Sequence, residues 1–123
     1  EHLGDITFPG NQAERLATGG DISPSGDAIV IRTYLNAHVW PRSPGESIAE
    51  TLQKPRCTTN LTLEPQGEAI AFTPDGQAFI TLSEGTEQPI HEYRIIPATS
   101  LLGPAGIPLL AGLLAVVGIH KAL

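Results

Sequence analysis

Short apolar runs interrupted by turn residues occupy most of the chain before residue 97, and no helical period appears there. Such runs, alternating or rich in β-branched residues, predict β-strands. Two turns, at residues 24–26 (PSG) and 74–76 (PDG), suit hairpins because proline fixes φ and glycine accepts a positive φ. The predicted strands are residues 4–8, 20–23, 28–34, 37–41, 68–73, 78–83 and 90–95, with a weaker outer strand near 47–52. The expected core consists of Ile22, Ile29, Ile31, Tyr34, Val39, Trp40, Ile70, Phe72, Phe79, Ile80, Leu82 and Tyr93.

A different pattern follows, because residues 101–119 contain no charged side chain. As a helix this run would extend roughly 28 Å, close to the hydrocarbon thickness of a membrane. Pro104 and Pro108 lie in its first two turns, where a missing N–H is tolerated best. We therefore predict one C-terminal transmembrane helix over residues 101–119. Its small residues form a stripe on which another membrane helix could pack: Ala111, Ala115 and Gly118.

The charge distribution gives this helix an orientation. Lys121 follows it, whereas the residues before it carry six Lys or Arg against thirteen Asp or Glu. Because positive flanks stay in the cytoplasm, residues 1–96 are expected to be extracytoplasmic, in the periplasm or at the cell surface. Residues 97–100 would be a linker and residues 120–123 a cytoplasmic tail. The acidic balance argues against binding to nucleic acid.

The predicted β-domain carries an internal repeat with a shift of fifty residues. Residues 22–30 (ISPSGDAIV) align with residues 72–80 (FTPDGQAFI), and residues 38–40 (HVW) align with residues 91–93 (HEY) after a further shift of three. A period in this range marks stacked supersecondary units. The expected repeats are about residues 18–52 and 68–95.

The segments SPSGDAIVIRTY and TPDGQAFITLSE resemble the SPDG repeats of TolB-like and WD40-like β-propellers, notably secreted bacterial ones. The resemblance covers roughly residues 18–95 and implies the C-terminal part of such a protein, here with a membrane anchor. It implies a mainly β fold of two propeller-like antiparallel sheets. Two sheets cannot close a propeller, which needs about four to eight blades. The chain is therefore part of a longer propeller, closes through oligomerisation or a partner, or forms a small open sheet or sandwich.

The sequence contains no recognisable catalytic motif and no cofactor is expected. GxSxG, HExxH and phosphate-binding glycine motifs are missing. Cys57 is the only cysteine, which excludes an internal disulfide and a thiolate metal site. The histidines lack metal-ligand spacing, and His38 and His91 occupy equivalent repeat positions, which favours a shared structural role.

One weak candidate for a metal site is acidic. The segment EPQGEAIAFTPDG loosely resembles the strand entry of calcium-dependent propeller phosphoesterases. The resemblance implies that carboxylates converging on a channel hold Ca²⁺, with Glu64, Glu68 and Glu84 as candidate ligands. The alternative interpretation is that these are ordinary turn and surface acids, because the blades that would complete such a site are missing from the sequence.

Together these patterns favour a single-pass, membrane-anchored accessory or scaffold protein. Its extracytoplasmic β-domain would bind a protein partner, as a structural subunit of a larger membrane complex, while its helix contacts lipid. The alternatives are the C-terminal part of a calcium-dependent propeller hydrolase or phosphoesterase, and a cell-surface ligand receptor. An enzyme is the less favoured interpretation because the catalytic motifs are missing.

Overall fold

The computed structural model describes residues 1–96 in full and residues 115–119 as backbone. In these residues two short helices and eight strands follow one another: α1 (Gln12–Arg15), β1 (Ala17–Ile22), β2 (Ala28–Thr33), β3 (Asn36–Pro41), α2 (Ile48–Leu52), β4 (Cys57–Asn60), β5 (Gly67–Phe72), β6 (Ala78–Ser83), β7 (Ile90–Ile96) and β8 (Ala115–Ile119). The strands form two antiparallel sheets in chain order, β1-β2-β3-β4 and β5-β6-β7-β8. The prediction of a mainly β fold with two antiparallel sheets is confirmed.

A capping box makes α2 helical where the pattern predicts an outer strand. The Ser47 side chain accepts a hydrogen bond from the Glu50 N–H at 3.2 Å, and the Glu50 carboxylate accepts one from the Ser47 N–H at 2.8 Å. These bonds satisfy N–H groups that would otherwise lack a partner in the first helical turn. The outer strand near residues 47–52 is therefore a wrong prediction, and β4 takes that position in the first sheet. Residues 4–8 form no strand either.

The two sheets have the same strand pairing, displaced along the chain as the repeat predicts. Ile22 lies opposite Ile29 in the first sheet, and Phe72 lies opposite Phe79 in the second. Both pairs also shift register at the equivalent place near the start of their first strand. The first three strands of the first sheet therefore have structural counterparts in the second.

Each sheet has two different faces, because successive side chains of a strand point to opposite sides. The face that we call the alanine face carries Ala28, Val30 and Arg32 in the first sheet and Ala78, Ile80 and Leu82 in the second. The other, the aromatic face, carries Ile29, Ile31 and Trp40 in the first sheet and Phe79, Thr81 and Tyr93 in the second. Both faces thus recur in the two repeats.

The sheets pack head to tail, with the alanine face of the first against the aromatic face of the second. The core between them consists of Ala28, Val30, Ala37, Val39, Leu61, Ile70, Phe72, Phe79 and Tyr93. Phe79 and Tyr93 stack with ring centroids 5.1 Å apart and are almost completely buried. Removal of this apolar surface from water is the main stabilising contribution. Because the packing is head to tail, one alanine face and one aromatic face remain on the outside.

The region C-terminal to β7 is described only at residues 115–119. These residues form β8, in which Gly118 lies opposite Tyr93 and Ala115 opposite Ile96. Residues 101–114 of the predicted transmembrane helix lie outside the described residues, as do 97–100 and 120–123. The sequence AVVGI supplies β-branched residues to the free edge of β7, which suits a strand. No helix within the described ranges is long and apolar enough to cross a membrane.

Candidate interaction surface

A buried ion pair joins the two sheets. The Arg32 side chain projects from β2 with no solvent-exposed surface, and the side chain of Glu64, which precedes β5, is 2% exposed. Arg32 Nη1 donates hydrogen bonds to Glu64 Oε2 at 2.8 Å and to the Ala69 carbonyl at 2.9 Å. The Thr81 hydroxyl donates to Glu64 Oε1 at 2.8 Å, and His91 Nε2 lies 4.0 Å from that oxygen. Pairing and hydrogen bonding make these buried charges tolerable.

Two glycines make room for this ion pair. A Cβ on Gly67 would overlap Arg32 Nη2 and lie 2.5 Å from Glu64 Oε2. A Cβ on Gly19, in β1, would lie 2.5 Å from the Glu68 carbonyl oxygen. The alanine face of the first sheet therefore forms a socket around Arg32, and the segment that leads into β5 fills it with a carboxylate.

The equivalent place on the second sheet is open. Fifty positions along the chain, Leu82 stands where the first repeat has Arg32, and Ala69 stands where it has Gly19. A depression of about 340 Å³ lies there, lined by Glu68, Ala69, Leu82, Ser83 and Glu84. Leu82 is 36% exposed. The second sheet thus offers a depression whose lining combines two apolar residues, Ala69 and Leu82, with two glutamates.

Further apolar side chains extend this surface across the second sheet. Ala71 of β5 is exposed, and Ile80 of β6 and Ile90 of β7 are half-buried. The sequence pattern places Ile80 and Leu82 in the core, yet neither belongs to the core between the sheets. Leu82 is therefore a wrong core prediction, because its repeat equivalent is covered by the next sheet and Leu82 is not. Glu92 and Arg94 of β7 lie on the same side of the sheet, opposite Ile80 and Ala78. We call the surface formed by Glu68, Ala69, Ala71, Ile80, Leu82, Glu84, Ile90, Glu92 and Arg94 the open face.

The chain's own N-terminal segment covers part of the other end of the stack, the aromatic face of the first sheet. Phe8 stacks on His38 with ring centroids 4.5 Å apart and is buried. The Arg56 guanidinium lies 4.9 Å from the centre of the Phe8 ring and 5.4 Å from that of Trp40. Arg56 Nη2 also donates a hydrogen bond to the Thr7 carbonyl at 2.9 Å. The N-terminal segment therefore covers this face beside Trp40 and His38, whereas Ile22 and Ile48 stay 39% and 47% exposed at a depression of about 460 Å³ on its β1 side.

Burial keeps His38 neutral beneath this cover. Desolvation lowers the pKa of His38 to about 4, and the Arg56 cation acts in the same direction. His38 Nδ1 lies 2.8 Å from Thr58 Oγ1, and Nε2 has no hydrogen-bond partner among the described residues. His91 occupies the equivalent place on the aromatic face of the second sheet, opposite Thr81. Both histidines thus lie on packed faces, which fits the shared structural role predicted for them.

A second concave site lies between the two repeat turns. This cleft of about 400 Å³ is lined by Ser25, Asp27, Ala28, Pro41, Asp75, Gly76, Gln77 and Ile95. The hydroxyls of Ser25 and Ser23 donate to Asp27, and that of Thr73 donates to Asp75. These bonds lower the pKa of both carboxyl groups. Because each bond stays within one turn, the two aspartates stabilise their own turns.

The structure separates one of the three candidate calcium ligands, Glu64, from the other two. Glu64 is buried against Arg32, whereas Glu68 and Glu84 line the depression on the open face. Glu68 Oε1 also accepts a hydrogen bond from the Tyr34 hydroxyl at 3.3 Å. In the part of the chain that the structure describes, no group of three or more His, Cys, Asp or Glu could hold a metal ion. The three glutamates therefore do not converge on one site.

The remaining sequence-predicted positions are the helix-packing stripe and Cys57. Ala111 of the helix-packing stripe is outside the described residues, and Ala115 and Gly118 are in β8. Cys57 begins β4 as a half-buried free thiol.

Sequence reasoning missed Arg32, Gly67 and Thr81. The repeat alignment holds a signal for Arg32, because a charge stands there in an apolar strand whose counterpart is Leu82. A buried charge requires a counter-ion, and Glu64 could have been sought on that ground. Comparison of the chain with protein-family models, with curated proteins and with solved structures gave no match. Function must therefore be inferred from the geometry itself.

Proposed function

We propose that this protein is a binding and assembly module, an accessory subunit whose β-domain docks on a partner protein through the open face. The observation that carries the proposal is the head-to-tail packing of two like sheets, in which no described sheet covers the alanine face of the second. In the first sheet the alanine face is buried by the next sheet. In the second, the counterpart face carries Leu82 at 36% exposure beside further apolar side chains. Contiguous exposed apolar surface of this kind marks interaction sites.

The same packing supports a blade-like interpretation of the two sheets, as in an incomplete propeller. In a propeller each sheet is followed by another that covers its outer face. Here the N-terminal segment covers part of the other end of the stack, where Phe8 packs on His38 and Arg56. A further sheet, in a longer form of the chain or in a partner, would therefore add at the open face.

Membrane attachment is the second part of the proposal and rests on the uncharged run at residues 101–119 and on Lys121. It would place the β-domain on the extracytoplasmic side as part of a membrane complex. A spanning helix and β8 are alternatives for residues 115–119, since one segment cannot adopt both. Extraction of native membranes with alkaline carbonate distinguishes them. Retention of the full-length chain in the pellet supports the helix, and its complete release contradicts the anchor.

The docking proposal is tested with the tagged full-length chain in its native cells. We compare wild type, Leu82→Asp on the open face, and Leu63→Asp, which makes the same change at a 79% exposed leucine in the loop before β5. After mild-detergent extraction and size separation, wild type and Leu63→Asp should migrate with a partner at fixed stoichiometry. Leu82→Asp should migrate alone at a stability cost of about 1–2 kcal/mol, and its unfolding curve verifies that it remains folded. Migration of wild type alone, or retention of the partner by Leu82→Asp, would contradict the proposal.

A further inference from the structure

Building on the proposed function, we infer that the protein that docks on the open face is a second copy of this chain, which contributes the β1–β2 side of its first sheet. The molecule itself shows how such sheets associate, because the alanine face of the first sheet packs against the aromatic face of the second. One face of each kind is left at the two ends of the chain. Association between copies by the same pattern joins these two faces.

On the first sheet, the aromatic face is accessible along β1 and β2. The N-terminal segment covers the β3 side, where Phe8 stacks on His38. Beside it lies the depression of about 460 Å³, lined by Gly20, Asp21, Ile22, Ile29, Val30, Ile31, Ile48 and Leu52. In the internal interface, the strands that approach each other across the two sheets are β1 and β5. The N-terminal segment therefore leaves free the part of the aromatic face that a neighbouring β5 would approach.

The centre of the internal interface is polar, whereas its counterpart between copies is apolar on both sides. Arg32 and Thr81 bind the same carboxylate, that of Glu64, from opposite sheets. Fifty residues after the arginine, Leu82 takes its position on the open face. Fifty residues before the threonine, Ile31 takes its position in the depression of the first sheet. Two apolar side chains would thus meet between copies, and their removal from water favours association.

The carboxylate at the centre is also absent from the contact between copies. Glu14 stands at the position of Glu64 in the first repeat. Its carboxylate accepts a hydrogen bond from the Asn11 N–H at 2.8 Å and completes the capping box of α1. The acid therefore serves its own helix, and the residue opposite it in the second copy, Leu82, has no charge to neutralise. The two surfaces thus change together, from a charged pair to an apolar contact.

Glu92 of the open face has a cation at the counterpart position of the first sheet. It stands at the position of Val39, which shares the internal core with Tyr93. Trp40 takes the place of Tyr93 in the first repeat, and the Arg56 guanidinium lies 5.4 Å from the centre of its ring. In the contact between copies, the glutamate would therefore approach an arginine.

Arg94 of the open face has an acidic counterpart in the same way. It stands at the position of Pro41, which lines the cleft between the two repeat turns together with Gln77. Fifty residues before this glutamine, the first repeat has Asp27. Between copies, the cleft would therefore place a cation on one wall and a carboxylate on the other. Opposite charges on facing surfaces favour the correct register of association.

The other two acids of the open face belong to the rim of this contact. Glu68 and Glu84 stand at the positions of Thr18 and Tyr34 in the first repeat. The Tyr34 hydroxyl meets the Glu68 carboxylate at the exposed edge of the internal interface. Charges at such an edge are screened by water and contribute little to affinity. The apolar centre therefore carries most of the binding between copies.

The test measures the mass of the full chain, produced in heterologous cells and extracted with mild detergent, by sedimentation equilibrium. A contact between unlike surfaces leaves each copy with one free surface, so wild type should assemble into a ring or an open chain. Leu82→Asp blocks the open face and Ile22→Asp blocks the depression, so each should remain monomeric over the concentrations at which wild type assembles. The control Leu63→Asp should assemble like wild type.

Mixing the two blocked variants tests the arrangement directly. Each retains the surface that the other lacks, so the mixture should form a dimer with one copy of each variant and grow no further. Ile48→Asp is a second variant of the depression, because an acid in the first turn of α2 is favourable for the helix. Arg94→Glu should weaken assembly of the otherwise unchanged chain about five-fold, and less so at high salt. The control Glu87→Lys, in the β6–β7 loop, should change it less than about two-fold.

The outcomes separate this inference from the proposed function. Wild type that stays monomeric overturns the second copy as the occupant and leaves the docking surface for a different polypeptide. Assembly that is lost in Leu82→Asp but kept in Ile22→Asp and Ile48→Asp shows two open faces in contact and overturns the head-to-tail arrangement, as does a mixture that stays monomeric. The proposed function fails only if Leu82→Asp retains its partner in native cells. Unfolding curves establish that every variant is folded.

Discussion

Replacing Glu64 with glutamine should be among the most destabilising conservative changes in this chain. The substitution preserves shape and keeps an acceptor for the Thr81 hydroxyl, but it removes the charge that neutralises Arg32. The guanidinium would remain without solvent contact, with the Ala69 carbonyl at 2.9 Å and the Thr33 carbonyl at 3.3 Å as its remaining acceptors. Removal of one member of a buried ion pair costs about 3–5 kcal/mol. Because glutamine retains part of the hydrogen bonding, we expect about 3 kcal/mol.

The assay is urea unfolding followed by the fluorescence of Trp40, the only tryptophan, which is fully buried. With a urea dependence of about 1.5 kcal/mol per M, the midpoint should fall by about 2 M at unchanged slope. Glu84→Gln is the matched control, because it makes the same change at an exposed acid of the same candidate calcium set. Its free energy of unfolding should stay within about 0.5 kcal/mol of wild type.

A double substitution completes the experiment. Arg32→Met combined with Glu64→Leu removes both charges and should recover most of the loss, since apolar replacements of buried ion pairs are often neutral. A loss below about 1 kcal/mol for Glu64→Gln would refute the reasoning, because it would mean that the guanidinium finds water or another acceptor. Equal destabilisation by Glu84→Gln would refute it as well.

Three further outcomes follow from the described contacts. The pKa of His38 is lowered to about 4 in the folded state. The stabilisation that comes from burying His38 in its neutral form is therefore complete above pH 6.5, and it is lost as the pH falls from there towards 4. The loss should reach at most about 3 kcal/mol, and subtracting the stability–pH curve of His38→Gln should isolate it. Gly67→Ala should cost about 1–3 kcal/mol in urea unfolding, because its Cβ would overlap the Arg32 guanidinium. Phe8→Ala should cost about 3 kcal/mol and make residues 1–10 sensitive to limited proteolysis, because Phe8 is buried against His38 and Arg56.

Much of the fold was predictable because strand signals are local. The Pro-x-Gly turns and the β-branched runs beside them identify β2 and β6 and their hairpin partners from sequence alone. The repeat alignment also anticipates the shared pairing of the two sheets. By contrast, α2 was mistaken for a strand because its five residues are too few to show a helical period, and its capping box at Ser47 and Glu50 was the signal to use.

The candidate site was less predictable because burial depends on which face meets which sheet. Ile80 and Leu82 have the composition of core residues, and only the head-to-tail packing shows that nothing in the described chain covers Leu82. Glu64 was singled out as a possible metal ligand for its charge. Its partner Arg32 lies 32 residues earlier on another sheet, a distance that local sequence patterns do not bridge.

The contrast between Arg32 and Leu82 also explains how two similar sheets can have different neighbours. If arginine stood at position 82 as well as at position 32, the segment containing Glu64 could pair with either sheet, in its own molecule or in another copy. The correct internal packing would then compete with association between copies. With leucine at position 82, a carboxylate finds a buried cationic partner only in the first sheet, at Arg32. The sequence difference between the repeats therefore separates the interface that folds the chain from the one that we propose for its partner.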